Sequence, residues 1–277
     1  MSTGDTTLAA AFDAWLADRC PPAVVRALEG GAPWEPWWRG LEAAGWLDAL
    51  VPEADGGAGL PLADVRALVE ACGSHAVPLP VADTLVARAR LALHGRERAS
   101  GPLPLDRLDP EVLDPDARAT WQAALTSALI AGAAARVLEL SIAHAQQRVQ
   151  FGRPIGSFQA VQHQLAVMAE QVAAARMAAQ LAFAAPTTQP DPVLAAMAKS
   201  VAGEAASVVA AGGHAVHGAI GITAECDLQL YTRRVIAWRT EGGSPSFAAA
   251  RVADAWWTSG EAKAIDFMLA RLAASGL

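Results

Sequence analysis

The sequence predicts an all-α protein, with an N-terminal helical segment followed by a C-terminal up-down helical bundle. The apolar fraction is 53% and alanine supplies much of it, which favours closely packed helices over sheets. Apolar residues recur every three or four positions in several long stretches, and no series of alternating strands is visible. With 277 residues, the chain is long enough for one large domain or two small ones.

Helical periodicity, together with proline and glycine at the breaks, predicts the individual helices. They cover about residues 6–18, 34–44, 61–72, 82–94, 117–150, 158–185, 193–216 and 225–238, with a last helix from Pro245 to Ala273. Two apolar stripes are expected to face the core of the bundle. They are Val161, Leu165, Met168, Val172, Ala175 and Ala179 on one helix, and Leu194, Met197, Val201, Ala205 and Val208 on the next.

Composition divides the chain into three regions. Residues 1–76 form an N-terminal helical region, in which the large side chains of Trp34, Trp37, Trp38 and Trp46 are expected to serve as a core or interface lock. Residues 77–116 are rich in proline, arginine and aspartate, and residues 117–277 contain the bundle. The Ala119–Ala135 stretch predicts a buried core helix, because it is alanine-rich and bounded by arginines; no membrane span is expected.

Charge and cysteine usage exclude several classes of protein. The net charge of −7 argues against a nucleic-acid binder, although a few local arginines still allow a polyanionic ligand. The three cysteines are far apart and form no CxxC pair, so neither a disulfide framework nor a metal site is expected. The N-terminal stretch lacks the basic and apolar regions of a signal peptide, and a cytoplasmic location is therefore expected.

The most informative stretch is RVQFGRPIGSFQAVQ, residues 148–162. It resembles the R-x-x-F-G-x-P-I-x-x-F-Q-x-x-Q element of the acyl-CoA dehydrogenase family. The resemblance implies that Arg148 and Gln159 reach across a subunit interface to the pyrophosphate and adenosine half of a partner's FAD. Phe151 would offer a flat face to adenine, and Gly152 would allow close backbone approach. The alternative is a surface arginine that follows a helix, with Phe151 and Phe158 simply packed.

A second resemblance precedes this stretch in the chain. The segment LVPEADGGAGL, residues 50–60, is similar to the L-P-E-x-x-G-G-x-G element of the family's N-terminal domain. In the family a β-barrel domain follows, which grips the flavin ring. Here residues 95–116 separate two predicted helices and contain no strand-like runs, so no barrel is expected.

Two further elements match in order but with departures. HGAIGITAE, residues 217–225, looks like the family's Q-x-H-G-G-x-G-x-T-x-E turn near the cofactor pyrophosphate, with His217 and Gly218 retained. Ala215 and Ala219 replace the family's Gln and second Gly, which should weaken cofactor contacts. His217 is interpreted as a turn-stabilising residue rather than a catalyst.

The next element, Tyr231-Thr-Arg233-Arg234, resembles the family's Y-x-R-D-A element, with Arg234 in place of the family's Asp. The two arginines indicate either a solvated basic face or a phosphate or partner contact.

Glu241-Gly-Gly243-Ser244 is similar to the family's E-G-T-S element, which holds the catalytic base of most members. The resemblance implies that Glu241 removes the α-proton of an acyl thioester, a task that requires a raised pKa in a water-poor pocket. The alternative is an acidic residue placed favourably beside the N-terminus of the last helix. The family's arginine in the early part of the first bundle helix is absent, since Thr120–Ala123 reads TWQA.

A member without a barrel cannot hold a flavin ring alone. The resemblance therefore implies one subunit of a heteromeric dehydrogenase, similar to those that degrade steroid side chains, with FAD shared with a longer, barrel-containing partner in an α2β2 assembly. The substrate would be a bulky acyl-CoA, and electrons would pass to an electron-transfer acceptor. Two alternatives stay open: a redox-neutral enzyme that uses Glu241 without flavin, and a non-catalytic scaffold for the partner.

Overall fold

The computed structural model describes residues 5–274, which are almost entirely helical. The elements are α1 Asp5–Arg19, α2 Pro22–Glu29, α3 Glu35–Ala43, α4 Leu62–Ser74, α5 Val81–Leu93, α6 Pro115–Gln147, β1 Val149–Gln150, β2 Arg153–Pro154, α7 Gln159–Ala182, α8 Pro192–His217, α9 Leu228–Thr240, α10 Pro245–Ser259 and α11 Ala264–Ala274. The all-α prediction is confirmed, and the eight predicted helices before Pro245 appear within a few residues of their expected bounds.

Two differences from the predicted helices have simple physical causes. Helix α2 was not predicted, although Pro22 suits a first helical turn, where its missing N–H costs nothing. The single last helix was wrong, because the chain divides into α10 and α11. Gly260 ends α10 with φ at 75°, a left-handed conformation that glycine adopts without steric cost.

The bundle is organised around α8, which packs against α6, α7, α9 and α10. The predicted stripe on α7 is confirmed for Met168, Val172, Ala175 and Ala179, all of which are buried. The predicted stripe on α8 is wrong for two members, since Val201 and Val208 are each 36% exposed. Alanines occupy the buried faces of α8 instead, because a helix surrounded on several sides needs small side chains for close approach.

The N-terminal region packs on the bundle through α4, with α1 covering α4. Its aromatic residues pack against one another, as the sequence predicts. Trp38 is buried, and the Trp46 ring lies 4.9 Å from that of Phe12 in a tilted arrangement. Trp34 is partly exposed and meets Trp38 edge-on.

Residues 94–114, between α5 and α6, are irregular apart from a short 3-10 turn at Leu105–Arg107. Within residues 5–274, the only strands are β1 and β2, which pair as a small hairpin. The described part of the chain therefore contains no β-barrel, in agreement with the expectation from its sequence.

Two stretches, residues 115–147 and 192–222, are long and apolar enough to cross a membrane by length and composition. In each, 67% of the apolar window is buried inside the protein, as in a core helix. This burial matches the prediction for Ala119–Ala135, and such stretches are weak evidence of a membrane span.

The N-terminal region joins the bundle at an unusually close crossing of α4 and α6. A Cβ atom at Gly132 would overlap the carbonyl oxygen of Glu70, and one at Gly73 would overlap the carbonyl oxygen of Leu129. The two helix backbones are therefore in direct contact at this point. Glycine is required at both positions because no side chain fits between them.

We expect Gly132→Ala to lower the free energy of unfolding by about 2–3 kcal/mol, because the added methyl group must push two backbones apart. Urea denaturation of the purified chain measures this loss. Gly40→Ala in α3 is the matched control, since a Cβ there meets only Trp15 at an ordinary 3.8 Å. It should leave stability unchanged or raise it by about 0.5–1 kcal/mol. Similar values for both variants would contradict the close crossing.

Candidate functional site

An open groove of about 520 Å³ lies where the β-hairpin approaches the C-terminal end of α8. We call it the hairpin groove. Its lining residues are His144, Arg148, Gln150, Phe151, Ile155, Phe158, Val161, Ala215, Val216, His217, Gly218, Ala219 and Ile220. Of the residues predicted to bind cofactor, it collects Arg148, Phe151, His217 and Gly218. Gly152 and Gln159 are nearby in the chain but do not line the groove.

The hairpin displays an aromatic side chain at its tip. Phe151 and Gly152 form the turn between β1 and β2, with φ at 52° and 79°. Positive φ at both central residues is typical of a type I′ turn, where glycine is easy but phenylalanine is strained. Phe151 is nevertheless 90% exposed, with its ring edge-on to Phe158 at 6.0 Å. Of the two rings in the packed alternative, Phe158 is half-buried, whereas Phe151 is not packed within this chain.

Arg148 lies at the end of α6, where its backbone N–H caps the helix at His144. Its side chain is exposed, and within residues 5–274 it forms no ion pair. A guanidinium that is not neutralised by the protein, next to an exposed aromatic ring, suits the phosphate and adenine groups of a dinucleotide. The groove therefore fits the adenosine end of FAD. The described residues offer no barrel wall to hold its isoalloxazine ring.

Two histidines stack at the floor of the groove, a feature that the motif comparison missed. The rings of His144 and His217 lie 4.4 Å apart and nearly parallel, and His217 Nδ1 lies 2.8 Å from the Gly213 carbonyl oxygen. Burial lowers the pKa of both imidazoles, and the neighbouring charges of His217 and Arg148 lower that of His144 further. The structural role predicted for His217 fits this geometry. His144 could have been found from its spacing, one helical turn before Arg148.

The turn after α8 carries the two departures from the family pattern. Gly218 ends α8 with φ at 65° and ψ at −146°, a conformation largely restricted to glycine. Ala215 and Ala219 both line the groove, so their methyl groups lie where the family has a glutamine and a glycine. The contacts that the family's glutamine and second glycine would make are therefore absent from this groove.

A second cavity of about 520 Å³ lies between the N-terminal region and the bundle. We call it the carboxylate cavity, because Asp83 and Glu241 both line it. Its other lining residues are Glu29, Cys72, Val77, Pro78, Leu79, Pro80, Val81, Ala82, Pro104, Gln122, Leu125, Thr126, Leu129, Arg234 and Trp238. Gln122 occupies this wall on α6, near the position of the family's missing arginine. Glu241 is thus in a different cavity from the predicted cofactor contacts.

Glu241 lies just after α9, at the mouth of the carboxylate cavity. The residue is exposed overall, yet desolvation of its carboxylate raises its pKa, against the opposing charge of Lys199. Gly243 follows with φ at 121°, and Ser244 accepts a hydrogen bond from Phe247 N–H at 3.1 Å to cap α10. Gly243 and Ser244, both predicted as cofactor contacts, shape this turn and lie outside the hairpin groove.

A buried lysine, also missed from the sequence, fixes the backbone of Glu241. Lys199 is 1% exposed, and its Nζ donates to Thr126 Oγ1 at 3.1 Å, to the Glu241 carbonyl at 2.7 Å and to the Trp238 carbonyl. Burial lowers its pKa to about 8. The cation caps the negative end of α9. A lone lysine on the apolar face of an alanine-rich helix was the signal available in the sequence.

Asp83, on α5, is the other carboxylate that sequence comparison did not indicate. Burial and then the charge of Glu241 raise the pKa of Asp83 to about 7, although a hydrogen bond from Leu105 N–H opposes the shift. The charge of the exposed Asp106 also raises the pKa of Asp83, by a smaller amount. Two carboxyl groups with raised pKa in one cavity are typical of a functional site.

The two basic residues of α9 differ in exposure, since the side chain of Arg233 is 58% exposed whereas that of Arg234 is mostly buried. Arg233 and Arg234 both pair with Glu29 of α2, each at 2.9 Å. The side chain of Arg234 is only 11% exposed. The single carboxylate of Glu29 therefore offsets only part of the charge of the two arginines.

Comparisons with known proteins agree with this architecture. The model of the acyl-CoA dehydrogenase C-terminal domain matches residues 117–256, and that of the N-terminal domain matches residues 3–99. Acyl-CoA dehydrogenase IpdE2 of Mycobacterium tuberculosis is 34% identical over 279 residues, covering 79% of this chain and 86% of its own. The chain belongs to the acyl-CoA dehydrogenase family.

Solved structures also share the fold. A chain of the ChsE4-ChsE5 complex from Mycobacterium tuberculosis has a TM-score of 0.77 at 20% identity, covering 92% of this chain and 97% of that chain. A variant of the Tcur3481-Tcur3483 steroid ACAD has a TM-score of 0.78 at 23% identity, covering 91% and 97%. At these identities the likeness shows the fold alone.

We expect Lys199→Met to lower the free energy of unfolding by about 2–3 kcal/mol, because the carbonyl oxygens of Trp238 and Glu241 lose a buried donor. The pKa of Glu241 should also rise, since the charge of Lys199 holds it down. Urea denaturation and the pH titration of the carboxylate chemical shift measure the two effects. Lys263→Met is the control, because Lys263 is exposed. Equal effects of both variants would contradict the assigned role.

Proposed function

We propose that this chain is one subunit of a heteromeric, FAD-dependent acyl-CoA dehydrogenase that introduces an α,β double bond into an acyl-CoA thioester. The observation that carries the proposal is the hairpin groove, which presents Arg148 and Phe151 at the surface. The described residues, in contrast, provide no barrel for a flavin ring. A chain with only the adenosine-end contacts needs a partner that supplies the rest of the cofactor site.

The exposed hairpin tip supports a shared cofactor. Arg148 would fork onto pyrophosphate oxygens, Phe151 would stack on adenine, and Gln159 would extend the contact from the start of α7. A strained, exposed phenylalanine is costly unless a ligand or partner covers it. We therefore place FAD between this groove and a longer, barrel-containing relative, in an α2β2 assembly. The name of the ChsE4-ChsE5 complex, a structural neighbour, is consistent with two related chains.

Glu241 is the proposed base that removes the α-proton of the thioester. Its carboxylate is partly desolvated, so its pKa is raised towards working pH, as a general base requires. Bound FAD would supply the acceptor for the β-hydride. Within residues 5–274 no barrel covers the carboxylate cavity, which has room for a bulky acyl group such as a steroid side chain or ring fragment. Electrons would leave to an electron-transfer acceptor. The free cysteines favour a cytoplasmic location.

We expect Arg148→Ala to weaken flavin retention by the co-expressed complex about tenfold or more, because one charge-assisted contact to phosphate is lost. The visible absorption spectrum of the purified complex gives the flavin content per protein. Arg176→Ala is the matched control, since Arg176 is exposed on α7 away from the groove. Unchanged flavin in Arg148→Ala, or no flavin in the unmodified complex, would overturn the shared-cofactor proposal.

We expect Glu241→Gln to lower the rate of dehydrogenation by about a hundredfold or more without loss of flavin, because the amide cannot accept the proton. Turnover with an artificial electron acceptor measures the rate, and Glu261→Gln, at an exposed position, serves as control. Full activity of Glu241→Gln would indicate a structural subunit whose partner holds the base. Turnover of acyl-CoA without any acceptor would instead favour the redox-neutral alternative.

A further inference from the structure

The carboxylate cavity contains a second acidic group that the proposed base does not account for. Asp83 enters from α5, whereas Glu241 enters from the end of α9, so the two come from different regions of the chain. Leu105 N–H, in the 3-10 turn before α6, holds the Asp83 carboxyl group by a hydrogen bond. The side chain of Asp83 thus lines a cavity whose walls are partly apolar and partly polar.

The surroundings make Asp83 the group that keeps a proton. Burial and the charge of Glu241 raise its pKa to about 7, and Asp106 acts in the same direction. Desolvation also raises the pKa of Glu241, but there the opposing charge of the Lys199 ammonium counteracts the rise. Arg234 also lines the cavity, and it shares the carboxylate of Glu29 with Arg233. Two carboxyl groups whose environments differ in this way divide into an acid and a base.

A neutral carboxylic acid in an apolar cavity is a hydrogen-bond donor that needs an acceptor. Leu79, Val81 and Leu125 give the lining its hydrocarbon surface, and Gln122 and Thr126 are among its polar members. An acyl group made only of carbon and hydrogen offers the acid proton no acceptor, whereas one with an oxygen at this place would accept it. A site built around such a bond discriminates strongly against ligands that lack the acceptor.

We propose that Asp83 is a specificity-determining residue that donates a hydrogen bond to a ketone or hydroxyl oxygen on the acyl group. The cavity would then take acyl-CoA thioesters that carry an oxygen function remote from the thioester. This rests on the proposed function, because it assumes that the acyl group occupies the carboxylate cavity. It does not depend on which subunit provides the base.

The test compares three unsaturated probes: cyclohexylpropenoyl-CoA and two ring-ketone analogues, which carry the carbonyl at different ring positions. All three already contain the double bond, so binding to the oxidised complex is measured without turnover. Calorimetry on the flavin-loaded complex should show a ketone analogue bound about tenfold more tightly at about pH 6. The preference should fall as the pH rises through about 7, where Asp83 loses its proton.

Three variants separate Asp83 from a general structural effect. Asp83→Leu should abolish the ketone preference. Asp83→Asn retains a donor of the same shape, so it should keep the preference but lose its pH dependence. Asp106→Asn removes a nearby charge that does not line the cavity, and should keep the preference.

No preference in the unmodified complex, or a preference that persists in Asp83→Leu, would overturn the proposal. So would an Asp83→Asn variant whose preference still falls with pH. These results differ from failure of the dehydrogenase proposal, which would appear as a complex without flavin. Because the binding measurement needs no turnover, it is repeated on the complex as purified if flavin is absent, and the ratio of ketone to hydrocarbon binding decides the role of Asp83 in either case.

Discussion

The direct contact of the α4 and α6 backbones at Gly73 and Gly132 is the constraint on which the rest of this structure depends. It sets how deeply the N-terminal region lies against the bundle. Helix α5 follows α4 in the chain, so the position of Asp83 relative to the end of α9 is set by the same crossing. A wider crossing would move one wall of the carboxylate cavity away from the other.

The two candidate sites differ in the exposure of their functional groups. The hairpin groove offers an exposed guanidinium and an exposed aromatic ring, both of which gain from a ligand that arrives from outside. The carboxylate cavity instead uses partial burial, which shifts the pKa of Asp83, Glu241 and Lys199. The first arrangement suits binding of a polyanion, and the second suits proton transfer. Together they fit a chain that shares a cofactor but also contacts the acyl group.

Sequence reasoning predicted what depends on local periodicity and on contiguous motifs. It gave the long helices and the buried part of the α7 stripe, but not the β-hairpin around Phe151, since a helix was expected to continue to residue 150. It did not predict residues whose role depends on contacts between distant parts of the chain. Lys199 and Asp83 are single polar residues in helices, and only the approach of α9 to α8 and to α5 gives them a role. The exposed Val201 and Val208 show the reverse case, in which small alanines rather than larger side chains mark the buried face.

Lys199 holds the end of α9 by main-chain oxygens and not by the carboxylate of residue 241. The backbone of residue 241 is therefore held in place whichever side chain it carries. A substitution there can remove the acid while the backbone keeps its course, since no structural bond is lost. Two duplicated copies of such a gene can consequently diverge by single steps, one keeping the reactive group and the other only its shape.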